Sequence, residues 1–271
     1  MPLTVTFEPC VFDSTETVYS PVSGHEVTQL FSSERRLFRP IEDPSQMHKY
    51  IIMGVQGCGK GTQARMLKES LDLVHISVGD IFRWHIQSHT KLGARIKRIM
   101  AEGQLVPDDL VEEVVKQRME QHDWNYGFIL DGFPRNSRQA SFFLESYDID
   151  AVLLIEVPDE VVRERILNRR LCQKCGMDYN LIFHRPAVPN TCDVCGSALT
   201  ARADDTPEAV NARVQDFHDK THPILDLFRR KELVVVVDGT LPAEEVQQNL
   251  RQQLEQKAWR KAATSSSTPT N

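Results

Sequence analysis

The stretch KYIIMGVQGCGKGT, residues 49–62, constrains this chain more than any other. KYIIMG reads as a short apolar strand that runs into a turn with glycines at 54, 57, 59 and 61, and a helical pattern follows from Lys60 to Leu71. Such a turn lets backbone N–H groups close around an anion, and the helix start adds its positive end. A lysine at this point reaches the β and γ phosphates of a nucleoside triphosphate. The spacing from Gly54 to Lys60 fits the general phosphate-loop pattern, except that Gly61 delays the hydroxyl of Thr62 by one residue. A glycine-rich turn with a stray lysine is the alternative, but it seldom has a strand before it and a helix after it. Gly54, Gly57, Cys58, Gly59, Lys60, Gly61 and Thr62 are therefore expected to form a nucleotide phosphate site.

The rest of the chain alternates in the same way. VHIS (74–77), GFILD (127–131), AVLLIEV (151–157) and LVVVVD (233–238) read as strands. Helical patterns run over 80–101 with a break at His89 and Thr90, over 108–122, from Asp159, from Pro207 with Thr206 as N-cap, and over 243–257. Strands alternating with helices predict an α/β fold with a mostly parallel sheet, and runs such as VLLIEV and LVVVV suit strands covered on both faces. Ligands of such sheets bind at the carboxyl ends of the strands. Asp131 ends the GFILD run, so its carboxylate falls at that edge, where it can orient a magnesium-bound water. Residues 1–48 hold short β-type patches broken by Pro and Gly and form an extension of no assigned role. Residues 257–271 are expected to be a disordered tail.

The formal net charge of −6 over 271 residues gives no global basic surface for nucleic acid. No apolar run approaches a bilayer-spanning length, and no basic start with an apolar core marks a secretory signal. Glu8, Asp13 and Glu16 argue against an Arg-rich transit peptide. A cytoplasmic protein with no membrane partner is the expectation. Of six cysteines, four form two C-x2-C pairs, Cys172/Cys175 and Cys192/Cys195. Two such pairs can supply four thiolates in a tetrahedron, which suits a structural Zn²⁺ with no position open for catalysis. Two disulfides or free thiols are the alternatives.

Further motifs stand at the strand ends: HISVGDIFR (75–83), LVPDD (105–109), GFILDGFPR (127–135), RILNRR (165–170) and RADD (202–205). Together with GVQGCGKGT they resemble the adenylate kinase family, in the long form with a four-cysteine zinc-binding lid familiar from bacteria. The resemblance covers about 49–256. Gln56 replaces the family's loop proline, Val78 its threonine and Asn168 its glycine. It implies a P-loop nucleoside triphosphate hydrolase-like, three-layer α/β/α core with a five-stranded parallel sheet. It also implies a helical monophosphate-binding insertion (78–107) and a zinc lid (171–206), with the core in 49–77, 108–170 and 207–256.

By that resemblance Arg83 and Arg135 clamp the acceptor phosphate, and Gln139 pairs with the adenine of AMP. Val78, Val106, Val111 and Gly132 lie beside them. Arg165 and Arg169, four apart and read as one helix face, converge on the phosphates with Arg202 and Arg213 when the lid closes, the first two on the ATP side and the last two also as AMP ligands. The implied activity is reversible, Mg²⁺-dependent transfer of a phosphoryl group from ATP to AMP by a monomer, with no covalent enzyme intermediate. Other readings are the same chemistry with another acceptor or donor, a nucleotide sensor without turnover, and a zinc-knuckle nucleic-acid module.

Overall fold

The computed structural model describes residues 48–123, 126–202 and 204–265, so the N-terminal extension and the last residues of the tail lie outside the described residues. Five strands form one parallel sheet: β1 (Lys49–Met53), β2 (Val74–Ser77), β3 (Phe128–Asp131), β4 (Ala151–Glu156) and the last core strand (Val234–Asp238). The last lies beside β4 at one edge, and the order from the other edge is β2, β3, β1, β4.

Successive side chains on a strand point to opposite faces, so each strand feeds two cores. Ile51, Met53, Ile76, Phe128, Leu130, Val152 and Leu154 enter one. There they meet α4 (Asp108–Glu120), α5 (Ser137–Ser146) and α8 (Leu225–Arg230). Tyr50, Ile52, Ile129, Leu153 and Ile155 enter the other, against α1 (Lys60–Leu71), α6 (Asp159–Leu167), α7 (Pro207–Asp216) and α9 (Ala243–Ser265). This is the expected three-layer α/β/α core. β4 is buried from Ala151 to Ile155, as its unbroken apolar run predicts. The last core strand departs from that expectation: its burial alternates and Val236 is 39% exposed, because it is an edge strand with incomplete cover on one face.

Two insertions leave this core. Between β2 and α4 lie α2 (Val78–Gln87) and α3 (Lys91–Ala101). Each starts on a side-chain cap: Ser77 accepts from the Asp80 amide, Thr90 from the Gly93 amide. The second insertion is a small antiparallel sheet of β5 (Arg169–Cys172), β6 (Asp178–Asn180) and β7 (Leu199–Thr200), with β5 in the middle; the last core strand is therefore β8.

Three boundaries differ from the sequence reading. The helix opened by Pro207 is capped by Thr206 as expected, but a π-helical turn (Phe217–Thr221) and a 3₁₀ turn (His222–Ile224) separate α7 from α8. The final helix runs past residue 257 to Ser265, since KAWRKAA consists largely of strong helix formers. Arg169 is not on the helix of Arg165: α6 stops at Leu167 and Arg169 opens β5. There the Asn168 carbonyl accepts from the Leu181 amide and Arg169 pairs with Asn180, so the small sheet takes over from the next helical turn.

Candidate active site

One cleft of about 1070 Å³ opens at the carboxyl ends of the parallel strands. Apart from the four cysteines, every residue expected from the sequence to touch nucleotide or magnesium lines it. Its floor is the loop between β1 and α1. The Cys58 amide donates to the Val55 carbonyl and closes the turn. Gly57 has φ +89°, and a Cβ there would sit 2.5 Å from Ile166 Cγ1, so helix α6 presses on the loop. α1 carries no side-chain cap, which leaves the first-turn N–H groups of Lys60, Gly61 and Thr62 without an intrahelical partner, facing the cleft. Lys60 Nζ donates to the carbonyls of Gly54 (2.7 Å) and Val55 (2.9 Å). Burial pushes the Cys58 thiol up, so it stays a neutral packing group in this loop.

Asp131 ends β3 beside this loop, with His75 Nε2 3.6 Å from its Oδ2. Across the cleft, Arg83 is ion-paired with Asp80 through Nε at 3.1 Å. Burial favours the neutral Asp80 acid, but Arg83, Ser77 and Arg202 together hold it below the usual carboxylate range. Arg135 folds its Nε back on the Gly132 carbonyl at 2.9 Å. Gln139 is 1% exposed and held at both ends: Oε1 accepts from the Arg135 amide at 2.8 Å and Nε2 donates to Asp108 at 2.7 Å. One lone pair and one N–H of the amide remain available to a base. Val78, Val106 and Val111 are buried apolar walls next to these groups.

The remaining arginines come from α6, the small sheet and α7. Arg165 Nη1 donates to the Gly239 carbonyl at 2.8 Å, and its guanidinium lies over the Phe183 ring, 5.2 Å from the centroid. Arg169 grips Asp205 with two parallel bonds of 2.9 and 2.7 Å, and Arg213 donates to Asp204 at 2.6 Å. Arg202 donates to Asp178 at 3.3 Å. Arg170 is absent from the cleft wall, as alternation along β5 requires.

These cations crowd one another. Burial lowers the Arg135 pKa, and Arg213 and Arg83 lower it further against the pull of Asp131. Burial likewise lowers that of Arg202, with Arg169 and Arg83 adding to it. Guanidiniums remain charged even so. The cleft thus holds more positive charge than its carboxylates neutralise around Arg135 and Arg202, a state that a polyanion relieves.

The four cysteine sulfurs all lie within 4.8 Å of one another. In each knuckle a glycine amide, Gly176 or Gly196, donates back to the carbonyl of the first cysteine. The Tyr179 hydroxyl, then the amides of Cys195 and Val194, draw the Cys192 thiol down to about 6. The Met177 amide draws the Cys175 thiol down, but burial and hydrogen bonds to the other three sulfurs push it up to about 12; it is the convergence of four sulfurs that fits a tetrahedral soft cation.

A sequence model of the adenylate kinase family matches residues 52–233. The chain is 43% identical to the adenylate kinase of Clostridium tetani over 205 residues, 74% of this chain and 95% of that relative. It is 40% identical to the adenylate kinase of Clostridium novyi over 212 residues, 76% and 98% of the two chains. With the adenylate kinase of Caldicellulosiruptor bescii it shares 43% over 196 residues, 70% and 91%.

The chain belongs to the adenylate kinase family.

Several groups of this adenylate kinase cleft escaped the sequence reading. Asp80 stands three residues before Arg83 on a helix, a spacing that signals an ion pair. Gly239, Thr240 and Leu241 also line the cleft, and their signal was the glycine turn after LVVVVD, another strand end on the ligand edge. His75, Asp108 and Phe183 gave none, because only the folded chain brings them to Asp131, Gln139 and Arg165.

Proposed function

We propose that the chain transfers the γ phosphoryl group of ATP to AMP, giving two ADP, reversibly and in one direct in-line step. The observation that carries the residue assignment is the over-cationic cleft between an uncapped helix start on one side and Arg83 and Arg135 on the other. ATP phosphates lie on the loop from Gly54 to Thr62, with backbone N–H groups and Lys60 as donors. Arg83 and Arg135 hold the AMP phosphate, and the free edge of Gln139 reads its base. Arg165, Arg169, Arg202 and Arg213 stabilise the charge that spreads over the transferring oxygens. Asp204 and Asp205 fix two of those guanidiniums in advance, so little reorganisation is left for the reaction itself.

Asp131 suits a Mg²⁺ held through water: its carboxylate ends a strand on the ligand edge and lines the cleft beside the phosphate loop. Magnesium bound with ATP would supply further neutralisation of the β and γ phosphates. Cys172, Cys175, Cys192 and Cys195 would hold a structural Zn²⁺ in the insertion over 171–206, which acts as a lid. That insertion buries few apolar residues beyond the cysteines, Tyr179 and Leu199, so the metal would supply much of its stability. No described helix is long and apolar enough to cross a membrane, and we place the enzyme in the cytoplasm as a monomer.

Gln139→Leu tests the acceptor reading. It removes the base-facing amide and the bonds to Asp108 and Arg135, and it should raise KM for AMP about tenfold or more while leaving KM for ATP within about twofold. Equal rises in both constants would contradict the assignment.

A further inference from the structure

Asp178 opens β6 and pairs across the small sheet with Leu171. Because side chains alternate along strands, Arg169, Leu171, Asp178 and Asn180 share one face, and all four line the cleft. Cys172 and Tyr179 pack with Cys192 and Leu199 in a separate cluster. On the cleft face the two oxygens of Asp178 take two different arginines. Oδ1 accepts from Arg202 Nη2 at 3.3 Å, and Oδ2 lies 3.5 Å from Arg65 Nη2. Arg65 stands on α1, the helix that follows the phosphate loop. Its other terminal nitrogen lies 3.1 Å from Sδ of Met177. One guanidinium of the core therefore holds two consecutive residues of the cysteine-bearing sheet.

Arg202 depends on the same carboxylate. It is 13% exposed, its Nε is buried with no hydrogen-bond partner among the described residues, and Arg169 and Arg83 repel it. We propose that Asp178 is a positioning residue for closure of the lid: its contact with Arg65 docks the lid on the phosphate-loop helix, and its other oxygen aims Arg202 into the cleft as the lid seats. The aiming of Arg202 rests on reading that residue as a phosphate ligand; the docking by Arg65 does not.

ATP is gripped by lid residues only when the lid is down. A contact that raises the closed fraction of the free enzyme raises the apparent ATP affinity by the same factor. A half-exposed pair of this kind is worth at most about fivefold. AMP gains less from this contact: of its proposed ligands, Arg83, Arg135 and Gln139 lie outside the lid, and Arg202 alone reaches it from the lid, on the other oxygen of Asp178.

The test is equilibrium binding of Mg-ATP without AMP, and of AMP without ATP, to the zinc-loaded full chain. Arg65→Gln should weaken Mg-ATP binding about threefold and AMP binding clearly less. Asp178→Asn should weaken Mg-ATP at least as much, and adding Arg65→Gln to it should change nothing further. Unaltered Mg-ATP affinity in Arg65→Gln, an equal loss for AMP, or effects that multiply in the double variant would each overturn the docking. Arg65 is 37% exposed on a helix surface, so Arg65→Gln folds whether or not Asp178→Asn does. Arg202→Gln, read as the transfer rate at saturating nucleotides, tests the phosphate reading separately. A full rate there removes Arg202 from the site and overturns its aiming by Asp178, while the Arg65 result still decides the docking.

Discussion

Lys60 lies within hydrogen-bond reach of two carbonyls of its own loop and forms no ion pair with a described residue, so its ammonium is held at the loop with its charge available to the phosphates proposed there. Replacing it by Met keeps the stem and removes the charge. Lys60→Met should lower the transfer rate about 10²- to 10³-fold with little change in melting temperature, as loss of one aimed charge-stabilising donor does elsewhere. A near-normal rate would remove Lys60 from the mechanism. Gly57 is constrained by space as well as by φ, since a Cβ would collide with Ile166. Gly57→Ala should cost about 1–3 kcal/mol of stability in a denaturant melt and weaken ATP binding together. The motifs made Lys60, Arg83, Arg135 and Asp131 legible because each sits at a fixed offset from a strand end. Gln139 was legible only as a position; its bonds to Asp108 and to the Arg135 amide depend on how α4 and α5 pack, which no local pattern encodes.

Among the elements, hydrophobic periodicity gave the five core strands and most helices, because the parallel sheet buries unbroken apolar runs. It failed where tertiary pairing overrides helix propensity, as at Arg169, which β6 draws into a strand. It also failed where a continuous helical pattern hides a π turn, as at Phe217–Thr221; there the Thr221 hydroxyl donates to the Arg135 carbonyl at 2.7 Å and ties the turn to the loop after β3. The four-cysteine insertion offers a direct check on the zinc proposed for it. Cys172→Ser should lower zinc content and the melting temperature while leaving the phosphate loop able to bind ATP. Equal zinc content in the variant would contradict a four-thiolate site. Asp204 ties the lid's return to α7 through Arg213. Burial raises its pKa, but Arg213, with Arg83 and Arg202 behind it, holds the carboxyl below the usual value. A group whose folded pKa is depressed contributes stability above its unfolded pKa, near about 4, and loses it as pH falls through the folded value. Asp204→Asn should therefore cost about 2 kcal/mol at neutral pH, and its difference from the parent should vanish at strongly acid pH. A difference that stays constant with pH would contradict the pairing.

For the molecule as a whole, the fold brings residues scattered from Ile52 to Val246 onto one cleft. Each parallel strand ends at the same edge, so β1 contributes the phosphate loop, β2 the helix with Arg83, β3 Asp131 and Arg135, and β4 the helix with Arg165. The second insertion leaves the core at that edge as well and carries Arg169 and Arg202, while α7 brings Arg213. This arrangement follows from strand order and explains why residues with no common local motif converge. The account stands on that cleft being an ATP and AMP site, and a phosphoryl-transfer assay tests it most directly. Mg-ATP is offered with AMP, GMP, CMP, UMP or dAMP in turn, and both product nucleotides are read. Strong preference for AMP, with ADP as sole product, is the result expected, and it would make Val78 a harmless replacement for the family's threonine. Preference for another monophosphate, or ATP binding with no transfer to any of them, would contradict it.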